Sequence, residues 1–397
     1  MQQKVKKILL RIVAVLAIMA VTFVGTMLVL GVDLTDLPRQ LAFLHKMCSI
    51  DTLTGRYALD GIDHESASDM AARGYVSVLE DDYAQYMSNT EKEAWDDYYA
   101  GQSSIAGIGI VAALHPDTKE YTVVEVYSDC PAHDADIQKG DVLASINGEA
   151  LTAENGGALI DSIAGEVGDT ITLTVRRGEE ELKKTVTLDY YQIDPVTWRQ
   201  IDDFGYIQIS TFNDLTYDAF DKAVDALVEA DVKGLIFDLR DNGGGLVDTC
   251  AKMLDKLLPE GDLVRVRYAN GDVEVDNRSD RNAIDLPMAV IVNGNTASSS
   301  EIFTMNIRDY EKGIVVGTTT YGKGIVQTTY DLLDGSSVKF TTGEIVDKNG
   351  ESYHDVGIQP DVKCTLSDYE SSHYYFLTDE TDSFLQAAID ALRAKIG

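Results

Sequence analysis

The chain has 397 residues, of which 66 are Asp or Glu and 33 are Lys or Arg, for a formal charge of −33. That length holds two or three domains with separate cores. So acidic a surface repels phosphate backbones and anionic headgroups, which argues against a nucleic-acid-binding role.

Lys4, Lys6, Lys7 and Arg11 precede an uncharged, mostly apolar run of 21 residues, Ile12 to Val32. Such a run is long enough to cross a bilayer as a helix, and the basic flank keeps the N-terminal side in the cytoplasm. Residues 1–11 are therefore expected to be a cytoplasmic tail and 12–32 a transmembrane signal anchor in the cell membrane, single-pass, with the remainder extracytoplasmic. A cleaved signal peptide is the competing account. Its apolar core would be shorter, and Gly25-Thr26-Met27 and Val29-Leu30-Gly31 are poor small-x-small sites.

Residues 33–100 read as a charged helical region. Leu37, Leu41 and Leu44 recur at helix spacing, as do Met70, Ala71, Tyr75 and Leu79, and 80–86 reads as the close of a helix. From 101 to 190 the pattern changes to strands at 107–111, 121–126, 142–148, 171–176 and 185–188, with a helix near 158–163 and a tight turn at Asn147-Gly148. This arrangement resembles a PDZ domain, β-sandwich-like with helices, and the likeness makes Gly107, Ile108 and Gly109 its carboxylate-binding loop. The physical reason is that glycines let successive N–H groups converge on one anion while a strand edge accepts an extended peptide. Four cysteines (Cys48, Cys130, Cys250, Cys364) form no CxxC pair and no metal-ligand cluster, so buried free thiols are expected.

From about 191 to 368 the pattern is mixed α/β. A strand at 206–209 is followed by an amphipathic helix carrying Phe220, Val224, Leu227 and Val228. A buried strand at 235–239 then runs into Asn242-Gly243-Gly244-Gly245, and 246–258 reads as a helix. The apolar run from Met288 to Val292 ends in the hydroxyl-rich Asn293-Gly294-Asn295-Thr296-Ala297-Ser298-Ser299-Ser300, after which Ile302, Phe303 and Ile307 share a helical face. Strand, turn, helix thus occurs twice, and the two turns are expected to face one another. Residues 340–365 return to strands. The last segment, 369–397, ends in a helix aligning Phe384, Ala388 and Leu392, expected to pack back on the N-terminal helical region.

Two stretches carry chemistry. A serine on a strand-to-helix turn sits near the positive end of a helix, where developing negative charge is stabilised. Downstream, Tyr321-Gly322-Lys323-Gly324-Ile325-Val326-Gln327 places one lysine in an otherwise uncharged setting, where desolvation lowers its pKa. A base working near neutral pH needs a drop of roughly 3 units from about 10.4. The Thr-Ala-Ser-Ser-Ser-Glu-Ile segment, the 25 positions from Ser298 to Lys323, Gln327 four further on and the upstream Asp238-Leu239-Arg240-Asp241-Asn242-Gly243-Gly244-Gly245 resemble the carboxy-terminal processing peptidases, tail-specific serine proteases with a serine-lysine pair. The likeness runs from about 60 to 365, ending in Gly357-Ile358-Gln359-Pro360-Asp361-Val362. It implies Ser298 as nucleophile, Lys323 as general base, Gln327 as its orienting partner, and Gly244 with the Ser299 amide as oxyanion hole, Gly243 or Gly245 being alternative donors. It also implies a crotonase-like protease core and, over 33–100, a helical cap that can dimerise. Asp82 and Gly243 stand where relatives usually have proline.

The expected architecture is therefore multidomain α+β: an N-terminal transmembrane helix, a helical cap, a PDZ domain and a crotonase-like α/β protease core. No histidine among the six lies in a Gly-x-Ser-x-Gly or His-Glu-x-x-His context, which disfavours serine-histidine hydrolases and zinc proteases. No cofactor and no metal is expected. The expected partners are proteins or peptides with exposed apolar C-termini, the membrane through one helix and, where the cap dimerises, a second copy of the chain. Two other readings stand beside the peptidase: a catalytically silent PDZ scaffold or chaperone, and a crotonase-like enzyme acting on a thioester.

Overall fold

A computed structural model describes residue 6 and residues 13–19, 21–25, 34–101 and 106–396. It divides into two compact units, Met1–Val78 and Leu79–Gly397. In the first, the described parts of the expected transmembrane run are helical and exposed at 13–19 and 21–25; the rest of 12–32, and most of the expected tail 1–11, lie outside the described residues. Among the described residues no helix is long and apolar enough to cross a membrane. Helix Leu37–Tyr57 follows, starting with Pro38 in its first turn, where a missing N–H costs nothing. Helix His64–Val76 is capped by Asp63, whose carboxylate accepts from Glu65 N and Ser66 N. Phe43 and Tyr75 join the two helices edge to face, with ring centroids 5.6 Å apart.

The second unit is built on a six-stranded sheet. Its order is Val362–Lys363, Gly313–Gly317, Met288–Val292, Gly234–Asp238, Phe204–Ile209, Val196–Ile201, parallel except for the last pair. The two central strands are buried at every position, as a parallel sheet covered on both faces requires. Alternation divides their side chains. Leu235, Phe237, Met288, Val290 and Val292 pack against helices Thr216–Glu229, Val247–Leu257 and Ser299–Asp309. Ile236, Ala289 and Ile291 face helix Ser383–Ile396, which buries Phe384, Leu385, Ala388, Ile389 and Leu392 against them. The last helix therefore puts its apolar face on the core sheet, whose second face would otherwise meet water.

Residues 80–86 also depart from expectation. They form a turn and the start of strand Gln85–Met87, which pairs antiparallel with strand Ser337–Ile345. That strand lies in a second sheet with Ile325–Asp331, Gly261–Tyr268 and Val273–Ser279. The third sheet has a separate core and the path Ile110–Leu114, Tyr121–Val126, Val142–Ile146, Thr170–Arg177, Glu180–Thr187. Ile110–Leu114 and Glu180–Thr187 are the edge strands of this path. Of the cysteines, Cys130 and Cys250 are buried, but Cys364 is half-buried and Cys48 is exposed.

Candidate active site

At the carboxyl end of Met288–Val292 the chain turns sharply into helix Ser299–Asp309. Thr296 fixes the turn: its hydroxyl donates to Leu239 O (2.8 Å) and accepts from Asn293 N (2.9 Å). Ser298 then adopts φ 57°, ψ −121°, a strained conformation for a residue with a side chain. A strained strand-to-helix turn of this kind presents its hydroxyl at the top of the sheet. The two following hydroxyls are spent on the neighbouring glycine loop, Ser299 Oγ on Gly245 O (2.8 Å) and Ser300 Oγ on Asn242 O (3.0 Å). Ser298 is the half-exposed one of the three.

The two turns face one another. Ala297 N donates to Asn242 O (3.0 Å), and a Cβ at Gly244 would lie 2.7 Å from Ser298 Cβ and 2.8 Å from Ala297 O. Only glycine fits there, at φ +103°. The Gly244 N–H, however, donates to Asn242 Oδ1 (2.8 Å). In this conformation Gly244 meets the Ser298 turn through its Cα while its N–H is already engaged.

Glu301 joins this turn to the lysine loop. Its Oε2 accepts from Ser298 N (2.9 Å) and Lys323 N (2.8 Å); its Oε1 accepts from Thr320 Oγ1 (2.5 Å) and Gly322 N (2.7 Å). One carboxylate oxygen thus bridges the two backbones. Burial pushes the Glu301 carboxyl above its ordinary value, against the pull of those four donors. From outside, Gly322 O accepts from Asp355 N (2.9 Å) and lies 3.2 Å from His354 Nδ1, and Ile358 N donates to Thr320 Oγ1 (2.7 Å). The loop is clamped on both sides.

The side chain of Lys323 is half-buried, and burial alone holds its amine below the ordinary lysine value. Among the described residues no hydrogen bond joins it to Ser298 and no carboxylate pairs with it; its Nζ lies 4.4 Å from the centroid of the Tyr83 ring. Gln327 follows a bulge in strand Ile325–Asp331, and its Nε2 is buried with no partner among the described residues. Neither side chain is bonded to the serine in this state.

The PDZ-like loop lies in the third sheet's module. Gly107 exchanges backbone hydrogen bonds with Asp189 (3.0 and 3.2 Å), Ile108 is buried in that module's core, and a Cβ on Gly109 (φ +76°) would strike Cys130 Cβ at 2.3 Å. No hydrogen bond among the described residues links 107–109 to the turn at Ser298. Sequence reasoning used Glu301 only as a spacing mark, although Ser-x-x-Glu ahead of an apolar run is itself a capping-box signal. It missed Asn242 and Tyr83, whose places depend on contacts remote in sequence. No group of three or more His, Cys, Asp or Glu among the described residues is arranged to hold a metal.

With this geometry in hand, comparison with known proteins is direct. Residues 203–364 match the family model of Peptidase family S41, and 122–177 that of a PDZ domain. The "Probable CtpA-like serine protease" of Staphylococcus haemolyticus (strain JCSC1435) is 31% identical over 77% of this chain and 61% of its own length. The protein of the same description from Staphylococcus aureus (strain N315) is 29% identical over 91% of this chain and 71% of its own. The solved photosystem II D1 C-terminal processing protease is similar with a TM-score of 0.51 and 26% identity, over 84% of this chain and 91% of that one. Fold and site thus define the class, a family S41 core carrying a PDZ domain. Beyond these two modules, the chain is similar to CtpA-like serine proteases and to a C-terminal processing protease. It spans 61% of the length of the first of these curated relatives.

Proposed function

We propose that the chain is a membrane-anchored serine endopeptidase that captures exposed apolar C-terminal tails through its PDZ domain and cuts the adjoining chain. In this reading Ser298 Oγ attacks the scissile carbonyl and its proton passes to the neutral Lys323 amine. The oxyanion develops at the N-terminus of helix Ser299–Asp309, where the Ser299 N–H and the glycine loop are its donors. With the Gly244 N–H on Asn242, either that bond opens when substrate arrives or Gly243 or Gly245 takes its place. The amine returns its proton to the leaving nitrogen, then activates the water that hydrolyses the acyl-enzyme. Gln327, with a free buried amide nitrogen, orients the amine. Tails add as a strand along Ile110–Leu114, with the terminal carboxylate at Gly107–Gly109.

The observation that carries the reading is the shared Glu301 oxygen, which bonds the backbones of nucleophile and base while the lysine stays without a counter-ion. Anchoring rests on the apolar run 12–32 and its basic flank, with the catalytic part extracytoplasmic. The helical region 33–100 is read as a dimerising cap. In its support, helix Leu37–Tyr57 buries no residue within its own unit and exposes Leu41, Phe43, Leu44, Ile50 and Leu53.

The test is hydrolysis of an unstructured protein with an apolar C-terminus by the full chain, Ser298→Ala and Lys323→Ala. Each variant is expected to lose at least about a thousandfold in rate. Undiminished cleavage by either overturns the mechanism. Tail binding without any cleavage by the parent chain would favour the scaffold, and thioester hydrolysis indifferent to Lys323→Ala the crotonase-like enzyme.

A further inference from the structure

The partner of the Lys323 amine comes from far upstream and is a ring. Tyr83 lies in the turn before strand Gln85–Met87, and that turn is fastened to the sheet beneath it. Asp81 accepts from Tyr83 N (2.9 Å), and the same carboxylate accepts from Thr341 N (2.8 Å) and Thr341 Oγ1 (3.1 Å). Thr341 is the cross-strand partner of Gln327. The ring is thus set above the lysine by the sheet that carries Gln327. A parallel arrangement holds the neighbouring Lys339, whose Nζ lies 4.0 Å from the Trp95 ring centroid.

The charged groups around this contact are few. Burial raises the Tyr83 phenol above its ordinary value, followed by its hydrogen bond to Tyr321 and the charges of Tyr321, Asp355 and Asp82. Lys339 is lowered by burial and then by Lys323, with Asp81 acting the other way. Glu301 meets Lys323 at its backbone N–H, and His354 meets the loop at Gly322 O.

The face of an aromatic ring attracts an ammonium and has no comparable hold on a neutral amine. The contact therefore tells the two protonation states of Lys323 apart. The charged form is held on Tyr83; the neutral form is released and free to accept a proton from Ser298. We propose that Tyr83 is a positioning residue for Lys323, a resting place that keeps the ammonium away from Ser298 until the proton leaves. This rests on the reading of Lys323 as the base.

Two variants of the full chain test it, Tyr83→Phe, which keeps the ring face, and Tyr83→Leu, which keeps an apolar cover without it. The titration midpoint of Lys323 is read without any need for activity, from the pH dependence of trace acetylation by acetic anhydride followed by mass spectrometry. The acid limb of kcat for tail-peptide hydrolysis is measured alongside. Tyr83→Leu is expected to move the midpoint down by about half a unit, with the kcat limb following it, because the cation has lost its ring. Tyr83→Phe is expected to keep the parent midpoint. A Tyr83→Leu midpoint that stays put or moves up, or a Tyr83→Phe midpoint that moves as far as Tyr83→Leu, overturns the proposal. Loss of cleavage in Ser298→Ala alongside an unmoved Tyr83→Leu midpoint sinks this inference alone. Cleavage that persists in Ser298→Ala sinks the reading beneath it.

Discussion

Ser298 and Gly244 show how far a site can depend on the absence of one atom. Ser298 holds a backbone conformation that costs about 1–3 kcal/mol, and the strain persists because its neighbours determine it from three sides. Glu301 fixes its amide, Asn242 fixes the amide before it, and Gly244 leaves room for its Cβ. Gly244→Ala would put a methyl where Ser298 Cβ and Ala297 O already stand, at a φ that L-residues avoid. We expect it to destabilise the chain by about 1–3 kcal/mol and to cut peptidase activity more than tenfold, since the turn must shift. Thermal unfolding and tail-peptide hydrolysis measured side by side check this. Full activity in a stable variant would show that the two turns are not as tightly opposed as their spacing requires.

At the scale of elements, the segment between the last short strand and the last helix joins the PDZ domain to the core. His373 Nε2 lies 3.0 Å from Asp117 Oδ2, and the Phe376 ring lies tilted against His115 with centroids 4.5 Å apart, both partners lying in the connection that follows strand Ile110–Leu114. At the core end Arg240, almost wholly buried, bridges Asp238 and Asp382. The hydrogen bond to Asp117, ahead of every other cause, raises the His373 imidazole above its ordinary 6.5. A raised value means the folded chain binds the proton more tightly. The contact is therefore fully present below 6.5 and lost as pH rises through the raised value. Amide-exchange protection at 114–120 and 369–376, corrected for intrinsic rates, is expected to fall as pH rises above the ordinary imidazole value, and Asp117→Asn to remove most of that dependence. Protection that stays flat in the parent chain would mean the ring contacts hold the segment alone.

For the whole molecule, charge and the N-terminal run set the terms. A chain of net charge −33 has no electrostatic reason to lie on an anionic membrane, so the proposed anchoring rests wholly on burying the apolar run 12–32. The full chain is expected to stay with the membrane fraction through high salt and alkaline carbonate, and to leave only with detergent. Removing residues 1–33 should release it. Extraction of the full chain by carbonate alone would count against the anchor.

Local pattern alone determined much of this protein, because periodicity, turn chemistry and spacing are short-range. The buried strands at 235–239 and 288–292, the helices after them and the Asn147-Gly148 turn, where both residues take positive φ, were legible in this way. So was the serine cluster at the turn, whereas the lysine 25 positions on stood out from an ordinary turn residue only through the family resemblance. What the chain order could not disclose is which remote groups meet. Residues 80–86 read as the end of a helix, yet they place Tyr83 on Lys323, because an edge of the second sheet was open to strand Gln85–Met87. The last helix read as a partner of the N-terminal helices, yet it covers the core sheet, because that face is apolar and had nothing else on it. Periodicity records that a surface is apolar; only tertiary packing decides which surface it meets.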